Sequence, residues 1–280
     1  MLIKFTLFTI MLALGLGLQG GALNQLRHRP WMVVRALVGS CGLVPLAGLV
    51  LLMLPITTAL APVVRIGIAL MVLCPSAPMT LRKAGKQGGS RELAALLQVA
   101  AALVAILSVP LLAGVFRQVF GVEGWRVEAV DVAGQVGMSQ VLPLVLGLLL
   151  RRRWPAFADR IMGPLDRFAN VLLVLLVVVV LVKTGPLLVP FVAANLWALV
   201  AMVVMVLITL AIGYGLAGEG REQRITVSLV TSMRNPGLAL LLAQTHAAGL
   251  PGVKLTILAY LLVTVLASIP VLRRLRTVTA

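Results

Sequence analysis

Acidic residues are scarce in this chain of 280 residues, with eight Asp and Glu against 24 Lys and Arg and a formal net charge of +16. The eight (Glu92, Glu123, Glu128, Asp131, Asp159, Asp166, Glu219 and Glu222) fall in polar connections or near the ends of apolar segments. No apolar segment carries one at its middle, so the usual carboxylate for sodium or proton coupling in a membrane is missing. Cysteine is almost absent. Cys41 and Cys74 sit in apolar runs with no CxxC pair or Cys/His cluster, and imply neither a disulfide nor a metal. His28 and His246 have no metal-ligand company. No Ser/His/Asp set and no HExxH motif is present, which leaves an enzyme without support. Polar alternation is lacking too, and that excludes a β-barrel.

What the chain has is apolar length. Hydrophobic residues make up 61% and charged residues 11%, and the mean hydropathy is +1.10. No soluble domain of this length keeps such a balance in solution. Apolar runs recur at the ~20 residues that cross a hydrocarbon core of ~30 Å. About nine spans are expected. They run roughly over 5–23, 31–54, 62 through a break at 74–78, 93–116, 132–150, 168–182, 189–217, 225–247 with a second break, and 255–272.

Basic residues alternate by loop. Arg27 and Arg29, the group from Arg82 to Arg91, Arg151 to Arg153 with Arg160, Arg221 and Arg224, and Arg273, Arg274 and Arg276 share one side. The opposite side holds only Arg117, Arg126, Lys183 and Lys254. The positive-inside bias then predicts an external N-terminus and a cytoplasmic C-terminus in a bacterial-type inner membrane. A nucleic-acid partner is excluded, because that would need a basic face on a folded domain. The run from Phe5 lacks a convincing small-residue cleavage site, so the first span is expected to be retained. Residues 1–280 read as a single membrane domain.

Two stretches interrupt the apolar runs: Cys74-Pro75-Ser76-Ala77-Pro78 and Met233-Arg234-Asn235-Pro236-Gly237. A helix broken in lipid survives only where its freed amides and carbonyls are buried in protein or line a cavity. One such break in each half of a polytopic chain is the best pointer to a transporter's binding site.

With these breaks, the segment 141–148 (Val-Leu-Pro-Leu-Val-Leu-Gly-Leu) and the opening Leu14-Gly15-Leu16-Gly17-Leu18, the chain resembles the bile acid:sodium symporter family over nearly its whole length. The resemblance to Leu14–Leu18 is to the family's second helix, which implies a nine-helix member without the first helix. It also implies two inverted repeats, core and panel subdomains, and two discontinuous helices crossing at mid-membrane with substrate beside the crossing. The family moves organic anions, including bile acids and small carboxylates, usually with sodium. In sodium-coupled members the first break is followed by Ser-Asn and the second lies in Glu-x-x-Met-Gln-Asn. Here Ser-Asn falls on Thr80-Leu81, Glu on Val230, Gln on Arg234 and Asn on Asn235, while a Gln of the preceding helix falls near Ser40. The carboxylate is replaced by an apolar side chain and an arginine is added. Since arginine does not deprotonate in proteins, its charge can take the electrostatic role of the bound ion.

Arg234 therefore has two readings: a bidentate ligand for an anionic substrate group, or a brace bonded to the broken helix's own carbonyls. Asn235, Thr80 and Ser76 either line the site or cap the half-helices. Gln98, in a run of Ala, Leu and Val, faces a cavity or ties helices together. Arg35 and Arg65 lie nearer span ends and can snorkel. Gly15, Gly17, Gly20 and Gly21 predict close helix packing. The expected fold is all-α and polytopic, and the expected function is alternating-access transport of a small organic anion without the family's sodium sites. A sodium-coupled symporter and a passive anion channel stand as alternatives. No cofactor or metal is expected, the partners are substrate and bilayer, and the oligomeric state stays open.

Overall fold

The computed structural model describes residues 2–18, 30–75, 77, 80–120 and 129–277. They form helices and connecting turns only. Helix α1 is Leu2–Gly17, α2 Pro30–Met53, α3 Pro62–Leu73 and α4 Thr80–Lys86. Then come α5 Arg91–Phe120, α6 Val130–Arg153, α7 Pro155–Ala194 and α8 Leu196–Leu216. The chain closes with α9 Arg221–Ser232, α10 Pro236–His246 and α11 Pro251–Thr277. Among the described residues, seven helical stretches are long and apolar enough to cross a membrane: α2, α5, α6, the Pro155–Lys183 part of α7, α8, α9 with α10, and most of α11. Two other expected spans correspond to shorter apolar helices, α1 and α3. The fold is an all-α polytopic membrane protein.

Both expected interruptions are present. α3 stops at Leu73 before Pro75, and α9 stops at Ser232 before Pro236 opens α10. Proline has no N–H to continue the ladder, and at the first turn of a new helix that lack costs nothing. α2 and α6 are distorted instead of broken. Each contains one π-helical turn, Gly39–Leu43 and Gly137–Val141, with a proline at the second position of the helix that follows.

α1, α6 and α7 pack on one another, whereas α3 lies against α2, α10 and α11, and α9 against α8. The first contact depends on glycine. A Cβ on Gly15 would come within 2.3 Å of the Leu144 carbonyl oxygen, and one on Gly147 within 2.5 Å of that of Leu12. α8 and α9 touch as closely, since a Cβ on Gly213 would meet Ser228 Cα at 2.6 Å. Close backbone approach is the usual basis of helix association in lipid, where burying apolar surface gains little. Gly20 and Gly21 lie outside the described residues. Arg65 turns inward, donating to the Leu52 carbonyl at 3.0 Å and lying 4.6 Å over the Phe120 ring.

Candidate functional site

The two breaks meet. Ala77 N–H donates to the Met233 carbonyl at 2.8 Å and Asn235 N–H to the Cys74 carbonyl at 3.0 Å. Each break thus satisfies backbone groups that the other helix's ending left free, as a water-poor interior requires.

Arg234 sits at this junction and is the largest fully buried side chain among the described residues, 1% exposed. Its Nε donates to the Met71 carbonyl at 3.3 Å and one terminal nitrogen to the Val72 carbonyl. The other terminal nitrogen reaches the Ser40 carbonyl at 3.0 Å, Ser40 Oγ at 3.1 Å and the Thr231 carbonyl at 3.4 Å. Each carbonyl here has a local reason to take another donor. Val72 is in the last turn of α3 and Thr231 in that of α9, where carbonyls lack intrahelical partners, and Met71 beside Val72 has only a long bond from Cys74 N–H at 3.3 Å. Ser40 is released by the π-turn: Val44 N–H bonds Gly39 instead, and Pro45 has no N–H to offer. Two helix C-termini, the negative ends of their dipoles, aim at one guanidinium. Among the described residues no Asp or Glu pairs with it; the titratable groups around it are Cys41, Cys74 and Tyr260.

The arrangement is a cation site with the cation attached to the chain. Converging main-chain carbonyls and half-helix C-termini are what discontinuous helices offer to coupling ions. Of the five N–H donors an arginine carries, this geometry commits nearly all. That is the bracing geometry, and it leaves little of the guanidinium for a ligand.

The other anticipated residues are distributed unevenly. Asn235 Oδ1 caps α10 by accepting from Leu238 N–H at 3.1 Å, while its Nδ2, fully buried, has no partner among the described residues. Thr80 is buried and donates its hydroxyl to the Ala77 carbonyl at 2.6 Å. Ser76 lies outside the described residues. Val230 is buried in an apolar cluster at the position where the resemblance puts a glutamate. Arg234, Asn235 and Thr80 therefore gather at the junction, and Gln98 does not line it with them. It faces a separate cavity of about 330 Å³ between α1, α5 and α7, which also takes Arg91, Asp166 and Asn170 into its walls. These three were missed in the sequence. The available signal was Asp166 and Asn170 four apart, a spacing that puts them on one face of their helix.

A second cavity, about 620 Å³, opens by the other end of α1 and is lined by Lys4, Asp131, Gln135 and Thr245 among others. His246, 7% exposed, is 3.3 Å from the Gln135 amide beside it. Among the described residues no group of three or more His, Cys, Asp or Glu is placed to hold a metal.

Interrupted helices facing each other inside a polytopic bundle, with a buried charge at their junction, define a secondary transporter rather than an enzyme. The chain belongs to the Sodium Bile acid symporter family, whose model matches residues 4–191. It is similar to the ileal sodium/bile acid cotransporter of Oryctolagus cuniculus, 26% identical over 253 residues that cover 85% of this chain and 69% of the relative. The protein of that name from Mus musculus is 24% identical over 250 residues, with the same coverage. That from Cricetulus griseus is 26% identical over 181 residues, 62% of this chain and 51% of the relative.

Proposed function

We propose that the protein carries small organic anions across the inner membrane by alternating access, and that it does so without sodium. The observation that carries this reading is the occupied carbonyl cage. Arg234 donates to Ser40, Met71, Val72 and Thr231, so the oxygens that would ligate a hard cation already hold a fixed charge. A sodium ion brought there would also meet Coulomb repulsion from the guanidinium. In its relatives, by their names, sodium moves with bile acid; here the positive charge beside the junction is part of the chain and never leaves. An anion in a neighbouring cavity feels it through a low-dielectric interior, where screening is weak.

In this reading Gln98 meets the substrate in the cavity between α1, α5 and α7, and Asn235 Nδ2 and Thr80 offer a second polar point at the junction of the breaks. The fold reads as nine crossings, the seven long spans together with α1 and the α3–α4 pair, and as two inverted repeats whose broken helices cross at mid-membrane. α1, α6 and α7 form one subdomain of the single transport domain and the other helices its core. Mutual packing of those three supports the division, as does the position of both cavities along α1. The loop arginines favour an external N-terminus and a cytoplasmic C-terminus.

The test is uptake of anions into proteoliposomes with sodium replaced by choline. Uptake should be unchanged, and a steep, saturable sodium requirement would overturn the proposal. Counterflow that saturates separates this carrier from a passive anion channel.

A further inference from the structure

The cavity beside Gln98 has a layered wall. Arg91, Ala95 and Gln98 project from one face of α5, and Gly163, Asp166, Asn170 and Leu173 from one face of α7. Spacings of three, four and seven residues keep each set on one side of its helix. Arg91 and Asp166 are exposed and stand at the cavity's rim, while Gln98 is 1% exposed. Gln98 lies seven positions further along α5, about 10 Å deeper at 1.5 Å per residue. Asn170 is one turn deeper than Asp166, and Ile10 of α1 with Leu173 close the far end. The polar residues of the wall run from charged at the rim to amide deeper in, with apolar residues between and beyond them.

The middle layer is short of donors. Gln98 Oε1 is buried with no hydrogen-bond partner among the described residues. Asn170 donates its Nδ2 to the Asp166 carbonyl, so what its side chain has left to offer a ligand is chiefly the acceptor Oδ1. A buried acceptor gains most from a ligand that brings a hydroxyl to it, and a ligand without one leaves it unsatisfied. A site built to hydrogen-bond a hydroxyl therefore rejects the analogue that lacks it far more strongly than an apolar pocket senses a methylene.

We propose that Gln98 and Asn170 select, among organic anions, those carrying a hydroxyl between the acid group and a short hydrocarbon end, with Gln98 the specificity-determining residue. The proposal rests on the carrier reading above and names its substrate class. Arg91 draws the acid group at the rim, the hydroxyl donates to Gln98 Oε1, and the hydrocarbon end packs on Ile10 and Leu173. A cavity of about 330 Å³ is at the small end of ligand pockets, which suits a short-chain acid.

The experiment measures binding of 3-hydroxyhexanoate and hexanoate to the purified full-length protein by calorimetry, with counterflow of a mixture of anions in proteoliposomes alongside. Wild type should bind the hydroxylated acid at least about tenfold tighter, the difference of one good hydrogen bond. Gln98→Leu should bring the ratio close to one without weakening hexanoate, and Asn170→Leu, on another helix and at a less buried position, should shrink it by a smaller factor. Gln98→Glu should weaken both acids. Equal binding of the two acids by wild type, binding of neither, or a preference that survives Gln98→Leu overturns the proposal. Counterflow reports the carrier reading by itself: saturable exchange with no hydroxyl preference sinks the selectivity and keeps the carrier, and binding with preference but no exchange does the reverse.

Discussion

Two membrane-length segments of this protein are built on opposite plans. In the α9–α10 pair, 94% of the membrane-length window is buried in protein, and in the Pro155–Lys183 part of α7 only 17% is. The buried one is the more polar, with Thr226, Ser228, Thr231, Ser232, Arg234 and Asn235 all inside. The bare one gathers most of its polar residues before Val171 and beyond them presents Val171, Val174, Leu175 and Val178 outward. Polar groups in a bilayer must find partners within the chain, so the segment carrying them is wrapped by the rest of the bundle. A segment of valine and leucine needs nothing but lipid. Between these two segments, polarity marks the place where the machinery is enclosed.

The largest test of that contrast removes the charge. Arg234→Gln leaves carbonyls of two helix ends and the π-turn without their donors, and none is accessible to bulk water. Leaving a buried acceptor without its donor costs about 1–3 kcal/mol, and the melting temperature in detergent should fall accordingly. Arg234→Lys should lie between, since a point charge on a flexible stem cannot serve Ser40, Met71 and Val72 at once. If Arg234→Gln melts like wild type, the cage is not what holds the two breaks together.

Much of this region was legible in the chain. Prolines 75 and 236 beside small and polar residues located both interruptions, and an arginine between them had to be buried because lipid excludes it. The scarcity of acids, with none at the middle of an apolar segment, showed the usual coupling carboxylate to be missing. What the sequence could not display is which carbonyls would come to the guanidinium. The π-turn at Gly39–Leu43 has no propensity signature of its own, and only Pro45 hints that Ser40 loses its donor. Gln98 was legible as a polar residue needing a partner, but its neighbours were not. Asn170 and Asp166 come from a helix some 70 positions away in the chain, and adjacency of that kind is set by tertiary packing.

A smaller effect is expected where α1, α6 and α7 are held together. Gly15→Ala gains helix propensity, by about 1 kcal/mol in an exposed helix. Against that, the new Cβ would lie 2.3 Å from the Leu144 carbonyl oxygen, backbone that cannot swing aside like a side chain. Overpacking costs about 1–3 kcal/mol, so the net change should be destabilising, read as a lower melting temperature. A Gly15→Ala protein as stable as wild type would show that α1 and α6 can slide apart freely, and the three-helix unit would dissolve as a structural idea.

The smallest effect sets identical chemistry in the two contrasting regions. Val227 on α9 is fully buried and Val178 on α7 is 48% exposed. Val227→Ala deletes two methyl carbons from a packed interior and leaves a void that neighbours fill only in part, a loss of about 1 kcal/mol or more. Val178→Ala deletes them from a face that lipid covers, and lipid tails, as apolar as the side chain they replace, follow the new contour. The expected change is within about 0.5 kcal/mol, as for surface substitutions generally. Measured as paired melting curves in the same detergent, the difference between the two variants reports the asymmetry directly, because helix propensity favours alanine at both sites alike. Equal losses would mean that the outward face of α7 is packed against something as tightly as the interior is, and the comparison between the two segments would then describe one protomer and not the working assembly.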